Sequence, residues 1–170
     1  ALATSGLWFG TRCLLGPLLY RGIRVFKKRA GMSRKDLPVL EAMIDQAGMT
    51  IFRIVFDNAD WEAENDNDNP AVMDAGYYGA IFSSQRFQPL WDMFAWFNRR
   101  GLSDNVFLNF MGPGPEWMGG GNLTAGMERE WAETITALLL YAREKRGLKF
   151  HLAAPDNEPD IRNEGIHMEA

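Results

Sequence analysis

Short, almost wholly apolar segments alternate with longer segments of helical periodicity along this chain. The apolar segments lie at 50–57, 105–111 and 148–155, and the first of them reads TIFRIVFD. Its β-branched and aromatic residues are typical of a strand that is buried on both faces of a parallel sheet. Because helices and strands alternate, the pattern predicts an α/β fold of parallel βα repeats.

Three segments between or before these strands carry apolar residues at helical spacing. They run from Leu37 to Ala47, from Phe87 to Phe97 and from Ala125 to Lys145. The chain of 170 residues is predicted to form one partial domain. Residues 1–35 begin apolar, turn basic and are poorly patterned, and a further strand near 20–26 is an alternative for part of them.

The predicted loops differ on the two sides of the sheet. Loops that follow the strands are long and rich in Trp, Asp, Asn and Gly, whereas those that precede the strands are tight. Parallel α/β folds bind ligands at the carboxyl ends of their strands. We therefore expect a ligand site on the side of the long loops.

Composition and motifs exclude several classes of partner. A net charge of −4 argues against nucleic acid or an anionic membrane surface. The apolar N-terminal segment is broken by Arg12 and Pro17, so it does not predict a membrane span. The single cysteine, Cys13, can form neither a disulfide nor a cysteine metal site within the chain.

Two loops have compositions that resemble an ion site or a phosphate site, but each lacks the required motif. The acidic loop 60–69 lacks the glycine and the final glutamate of a calcium-binding EF-hand. Gly119-Gly120-Gly121 is not followed by the lysine and hydroxyl residue of a phosphate-binding loop. We expect no metal and no cofactor.

Glu158 is the leading catalytic candidate. It belongs to Asn157-Glu158-Pro159, directly after the third predicted strand. A glycosidic oxygen is a poor leaving group, so its departure needs a proton from a positioned carboxylic acid. Asn157 is a candidate donor to a sugar hydroxyl. The alternative is a plain loop that ends at a turn proline.

Polar residues of the first strand are candidates for substrate binding. Arg53 lies within the strand, where a buried charge requires a partner. It either forms a structural ion pair or orients a catalytic carboxylate. Asp57 and Asn58 end the strand, where they either contact sugar hydroxyls or cap the loop.

Two tryptophans in the long loops are candidate sugar platforms. Trp117 lies in a stiff Pro/Gly loop just past the second strand, and Trp61 is a similar but weaker case. The alternative for both is packing beneath the loop. Trp91, Trp96 and Trp131 lie on predicted helices, where we expect them in the core or on the helix surface. His151 in the last strand is predicted to be a core histidine instead of a ligand.

The sequence resembles the first half of the (β/α)₈ retaining glycoside hydrolases whose acid/base is the Glu of an Asn-Glu pair after strand four. The matching pieces are Phe52-Arg53-Ile54 on strand two, Pro115-Glu116-Trp117-Met118 after strand three and Asn157-Glu158-Pro159 after strand four. The resemblance covers about residues 36 to 160. It implies half of a TIM barrel that acts on β-linked glucosyl, xylosyl or galactosyl units.

The resemblance also implies a double displacement. Glu158 would protonate the leaving oxygen and then deprotonate the attacking water, while a second Glu about 5 Å away acts as nucleophile. In the family that nucleophile follows strand seven, and Glu164 and Glu169 come too soon to take its place. We expect the chain to require the missing C-terminal half of the barrel and not to hydrolyse glycans alone. Secretion is favoured only by analogy with enzymes that degrade glycans.

Two other classes remain as alternatives. One is a non-catalytic carbohydrate-binding or structural barrel fragment, which keeps the aromatic residues and lacks turnover. The other is a flavodoxin-like open sheet that binds a nucleotide, although no phosphate-cradling motif supports it.

Overall fold

A computed structural model describes residues 37–58, 61–158, 160–161 and 165–167 of the chain. The segment 1–35 and the alternative strand near 20–26 lie outside the described residues. Three strands form one parallel sheet in the order β1 (Phe52–Asp57), β2 (Val106–Met111) and β3 (Leu152–Ala154). This confirms the α/β class and the parallel arrangement.

β1 and β2 pair along their whole length, from Phe52 opposite Val106 to Asp57 opposite Met111. β3 pairs with the middle of β2, where Ala154 lies opposite Asn109. The carboxyl ends of β1 and β2 are therefore level, and the loops that follow them start side by side.

Four α-helices are described. They are α1 (Leu37–Asp45), α2 (Ala75–Ser83), α3 (Gln88–Arg99) and α4 (Glu128–Leu140), and α4 continues as a π-helical turn (Tyr141–Lys145). Short 3₁₀ turns occupy Ser103–Asn105 and Glu116–Met118. The predicted helices correspond to α1, α3 and α4 with its π turn. In the described part of the chain, no helix is both long and apolar enough to span a membrane.

α2 was not predicted from the sequence. It is only 9 residues long and includes Gly76 and Gly79, so its apolar periodicity is weak. Asp74 begins it by accepting hydrogen bonds from the main-chain N–H groups of Gly76 at 2.8 Å and Tyr77 at 3.0 Å. An aspartate N-cap before the aromatic residues was the available signal.

Aromatic side chains fill the core between the sheet and the helices. The ring of Phe56 lies 4.7 Å from that of Trp61 and 5.8 Å from that of Phe110, measured between ring centroids. The indole N–H of Trp91 donates to the Phe82 carbonyl at 2.8 Å, which ties α3 to α2. The buried state of β1 and the core position of Trp91 agree with the sequence prediction.

The prediction that the third strand is buried is wrong for its last residues. β3 is only 3 residues long, and Leu152 is 60 % exposed. Among the described strands β3 bonds to β2 alone, so its outer side has no neighbour. His151 is also exposed instead of buried, and its Nε2 lies 3.1 Å from a carboxylate oxygen of Asp104.

Candidate functional site

A polar cluster joins Arg53 of β1, Asn109 of β2 and Asn157 in the segment that follows β3. Nη2 of Arg53 donates a hydrogen bond to Oδ1 of Asn157 at 3.0 Å, and Nδ2 of Asn109 donates to the same oxygen at 3.2 Å. Nδ2 of Asn109 also donates to the Phe110 carbonyl at 3.1 Å. Asn109 and Asn157 are both buried. Two donors on one amide oxygen fix the orientation of the Asn157 side chain.

Arg53 thus donates a hydrogen bond to Asn157, which is itself a site residue predicted from the sequence. The guanidinium is half-buried, and this hydrogen bond goes to an amide oxygen instead of a carboxylate. The side chain accordingly positions Asn157, a role that neither sequence-based interpretation of Arg53 had specified. Asn109 is not among the site residues predicted from the sequence. Its amide side chain interrupts the apolar run VFLNFM in the same way that the charge of Arg53 interrupts β1, and this was the available signal.

Glu158 follows Asn157 in a conformation that is rare for its residue type. Its φ is +45°, and no other non-glycine residue of the described ranges has a positive φ. The left-handed region costs a residue with a Cβ about 1 kcal/mol or more. The side chain of Glu158 is exposed, and its carbonyl accepts a hydrogen bond from the N–H of Ile161 at 2.8 Å. The turn therefore presents a carboxyl group to solvent on a strained main chain.

Asp156 holds this turn from the other side. Its Oδ1 accepts hydrogen bonds from the N–H groups of Asn157 and Ile166, both at 2.9 Å. Burial raises the pKa of Asp156, and the two main-chain hydrogen bonds oppose that rise. Ile166 is fully buried, so the chain lies in the core again at that residue.

The returning segment also pairs with the loop after β2, here called the β2 loop (112–123). The N–H of His167 donates to the Gly121 carbonyl at 2.9 Å, and the N–H of Leu123 donates to the His167 carbonyl at 2.9 Å. Gly165 fits closely, because a Cβ there would lie 2.2 Å from the Asn157 carbonyl oxygen. The Glu158 turn and the β2 loop are therefore one connected surface.

The two candidate tryptophans have different environments. Trp117 is half-buried in the β2 loop, and its indole N–H donates to the Glu62 carbonyl at 3.0 Å. Trp61 is buried among core rings, with its ring 4.7 Å from that of Phe56. Only Trp117 therefore keeps part of its ring open to a ligand, and Trp61 takes the packing alternative.

Asn58 is buried and connects the loops after β1 and β2. Its main-chain N–H donates to the Met111 carbonyl at 2.8 Å, and its Nδ2 donates to the Gly112 carbonyl at 3.1 Å. These contacts correspond to the loop-capping alternative, and a contact with sugar stays a prediction. The side chain of Asp57 lies outside the described part, so its role is also still a prediction.

A second group of buried carboxyls had not been anticipated. Glu62, Glu130 and Glu133 are all buried, the first in the loop after β1 and the others on α4. Burial raises the pKa of Glu62 from its ordinary value of 4.5 to about 7, although hydrogen bonds from Thr134 and Tyr78 oppose the rise. Burial likewise raises the pKa of Glu133 to about 7, and the charge of Asp66 adds to the rise.

In the described part of the acidic loop, residues 61–69, Asp66 is an acceptor of local hydrogen bonds. Oδ2 of Asp66 accepts hydrogen bonds from the N–H of Asp74 at 2.6 Å and from Nδ2 of Asn67 at 2.9 Å. Within the ranges that the structure describes, no three His, Cys, Asp or Glu side chains converge as a metal site.

Searches against protein-family models, curated proteins and solved structures found no match. The chemistry that the site can perform is therefore inferred from the positions and types of its residues. An exposed carboxyl, an oriented buried amide and a half-buried indole lie in connected loops at the carboxyl side of a parallel sheet. Such a set can exchange a proton with a ligand, donate a hydrogen bond to it and offer it an aromatic surface.

Proposed function

We propose that this chain carries the acid/base carboxyl of a retaining glycoside hydrolase that acts on β-linked glycans. The observation that carries the proposal is the turn at Glu158, where an exposed carboxyl sits on a main chain with φ of +45° beside the buried Asn157. Strained residues cluster at functional sites, because surrounding structure must hold them in place. The fold that goes with this proposal is a (β/α)₈ barrel, with β1 to β3 as adjacent strands.

Asn157 is the hydrogen-bond donor of the proposed site. Its Oδ1 already accepts from Arg53 and Asn109. The amide nitrogen is then the atom left to face a ligand, and it donates to a sugar hydroxyl beside the scissile bond. Hydrogen bonds of this type strengthen in the transition state of glycoside hydrolysis.

Glu158 has two successive tasks in the proposed reaction. It gives its proton to the glycosidic oxygen as the bond to the anomeric carbon breaks and a second carboxylate attacks that carbon. It then takes a proton from the water that releases the sugar. The second carboxylate, about 5 Å from the first in a retaining enzyme, is assigned to no residue of the described ranges.

Trp117 supplies the apolar surface of the proposed site. Its indole N–H is held by the Glu62 carbonyl, which fixes the plane of the ring. A half-buried indole that is held in this way suits a sugar ring, whose axial C–H groups form an apolar side.

Glu158→Gln in the full-length protein tests the proposal. Glutamine keeps the shape of the side chain and cannot donate the proton. We expect turnover of polysaccharide to fall by about 10²-fold or more, whereas release of an activated aryl group, which needs little protonation, is largely spared at the glycosylation step. Equal loss on both substrates contradicts the assignment of Glu158 as the acid.

The matched control is Glu144→Gln, since Glu144 is an exposed carboxyl on the π-helical turn after α4 and belongs to none of the loops of the proposed site. It should leave both activities unchanged. If the wild-type protein binds β-linked oligosaccharides and hydrolyses none of them, the non-catalytic carbohydrate-binding alternative replaces the enzyme proposal.

A further inference from the structure

The β2 loop contains a tripeptide with the pattern of an N-glycosylation site. Asn122-Leu123-Thr124, here called the sequon, has the form Asn-X-Ser/Thr in which X is not proline. No other asparagine of the sequence is followed two positions later by Ser or Thr. Because the pattern also occurs by chance, it indicates a glycan only where the folded chain keeps the asparagine at the surface.

The main chain of the sequon is held by hydrogen bonds. Asn122 forms an isolated parallel bridge with His167. The N–H of Leu123 donates to the His167 carbonyl at 2.9 Å, and the N–H of Thr124 donates to the Met118 carbonyl at 2.8 Å. The directions of the three side chains are therefore set by the main chain around them.

The side chains of the sequon alternate between the core and the solvent. Leu123 is half-buried and packs against the hydrophobic core, whereas Asn122 and Thr124 are exposed. This alternation agrees with the bridge, because successive side chains of an extended chain point to opposite sides. The amide and the hydroxyl that define the sequon therefore both face the solvent.

The amide group of Asn122 is free to carry a substituent. It makes no hydrogen bond to another residue of the described ranges, and the N–H that donates to the Gly119 carbonyl at 3.3 Å belongs to the main chain. Asn98 is different, since its Nδ2 donates to the Lys149 carbonyl at 2.8 Å. A glycan on Asn98 would remove a contact of the fold, and a glycan on Asn122 removes none.

A glycan also needs space outside the folded chain. It is bulky and strongly hydrated, so a position such as Asn109, which is 4 % exposed, cannot carry one without loss of the fold. Asn122 lies at an exposed position of a surface loop. The fold thus leaves room for a glycan at the asparagine that the sequence pattern selects.

We propose that Asn122 accepts an N-linked glycan when the protein is made in a secretory pathway. In the transfer, Nδ2 of Asn122 forms a bond to the anomeric carbon of an oligosaccharide that is carried on a lipid pyrophosphate. The bond from that carbon to the pyrophosphate oxygen breaks, the amide loses one proton, and the lipid pyrophosphate leaves. This goes beyond the proposed function and does not depend on it.

Expression of the full-length protein behind a secretion signal in a eukaryotic host tests the site. Peptide-N-glycosidase in heavy-oxygen water converts a glycosylated asparagine to a labelled aspartate, and mass spectrometry of the peptide that contains the sequon detects the label. We expect the label at Asn122 in most molecules. An unmodified sequon peptide, from cells that glycosylate a control secreted protein, overturns the proposal.

Three variants and a control assign the modification. Asn122→Gln and, separately, Thr124→Ala destroy the sequon and should abolish the label, whereas Thr124→Ser keeps the hydroxyl and should retain it. Asn105→Gln changes an exposed asparagine outside the sequon and should leave the label at Asn122 unchanged. A glycan that persists at Asn122 in Thr124→Ala overturns the assignment of the sequon.

Urea unfolding tests whether the fold accommodates the glycan. The glycosylated wild-type protein should have a midpoint no lower than that of Asn122→Gln from the same host, because the amide of Asn122 has no contact to lose. A lower midpoint for the glycosylated protein would contradict the exposed placement of this side chain.

Discussion

Removal of the Asn157 side chain should cost more stability than its position in a loop suggests. The residue is 5 % exposed, and its Oδ1 accepts from the guanidinium of Arg53 at 3.0 Å and the amide of Asn109 at 3.2 Å. Asn157→Ala deletes this shared acceptor. Both donors then lose a partner at a position where β1, β2 and the segment that follows β3 meet.

The expected loss can be worked from the two hydrogen bonds. A hydrogen bond to a charged group contributes about 1.5–3 kcal/mol, and one between neutral groups contributes about 1 kcal/mol. Arg53 is half-buried, so water reaches part of the guanidinium and the lower value applies. Asn109 keeps its second acceptor, the Phe110 carbonyl. The free energy of unfolding should therefore fall by about 2–3 kcal/mol.

Urea unfolding followed by circular dichroism measures this loss. Asn157→Asp is the informative companion, because the carboxylate keeps both acceptor positions and adds an ion pair to Arg53. It should stay within about 1 kcal/mol of the wild-type protein at pH 7. Asn122→Ala, at an exposed site in the β2 loop, should change stability by less than about 0.5 kcal/mol. A loss below about 0.5 kcal/mol in Asn157→Ala would refute the hydrogen-bond network.

Three further perturbations have defined outcomes. Because Glu158 has a positive φ, the Glu158→Gly variant should be more stable than the Glu158→Ala variant by about 1 kcal/mol in urea unfolding. At most positions alanine is the more stabilising of the two residues, and that order here would contradict the strained turn. Gly165→Ala places a Cβ 2.2 Å from a carbonyl oxygen and should lose about 2 kcal/mol or more, whereas Gly121→Ala meets nothing within 4 Å and should lose little. Trp117→Ala should weaken glycan binding roughly tenfold in calorimetry, while Trp117→Phe, which keeps a ring, should weaken it about twofold. Equal losses in the two Trp117 variants would argue against a stacking role.

The local features of the fold are the ones that the sequence predicts. Buried strands and amphipathic helices show their apolar spacing in consecutive residues, so β1, β2, α1, α3 and α4 are predicted from that spacing. α2 has 9 residues, as α1 has, but its two glycines weaken the apolar periodicity, and it is not predicted. Its aspartate N-cap is too common a signal to establish a helix by itself.

The site is predictable only in part, since its contacts join distant residues. Arg53 and Asn157 are 104 positions apart, and no pattern in either segment indicates that the guanidinium meets the amide. The same limit applies to Glu62 and Thr134, which are 72 positions apart. Trp61 and Trp117 occupy similar loop positions in the sequence, and only the tertiary packing distinguishes the buried ring from the half-buried one.

Azide rescue of Glu158→Ala in the full-length protein tests the central claim most directly. Without the carboxylate no base deprotonates water, so the glycosyl-enzyme formed from an activated aryl β-glycoside persists. Azide needs no base, and we expect it to raise turnover by about tenfold or more and to yield a β-glycosyl azide. Glu144→Ala should show no azide effect. Absence of azide acceleration in Glu158→Ala, or an α-glycosyl azide product, would contradict the assignment of Glu158 as the acid/base of a retaining enzyme.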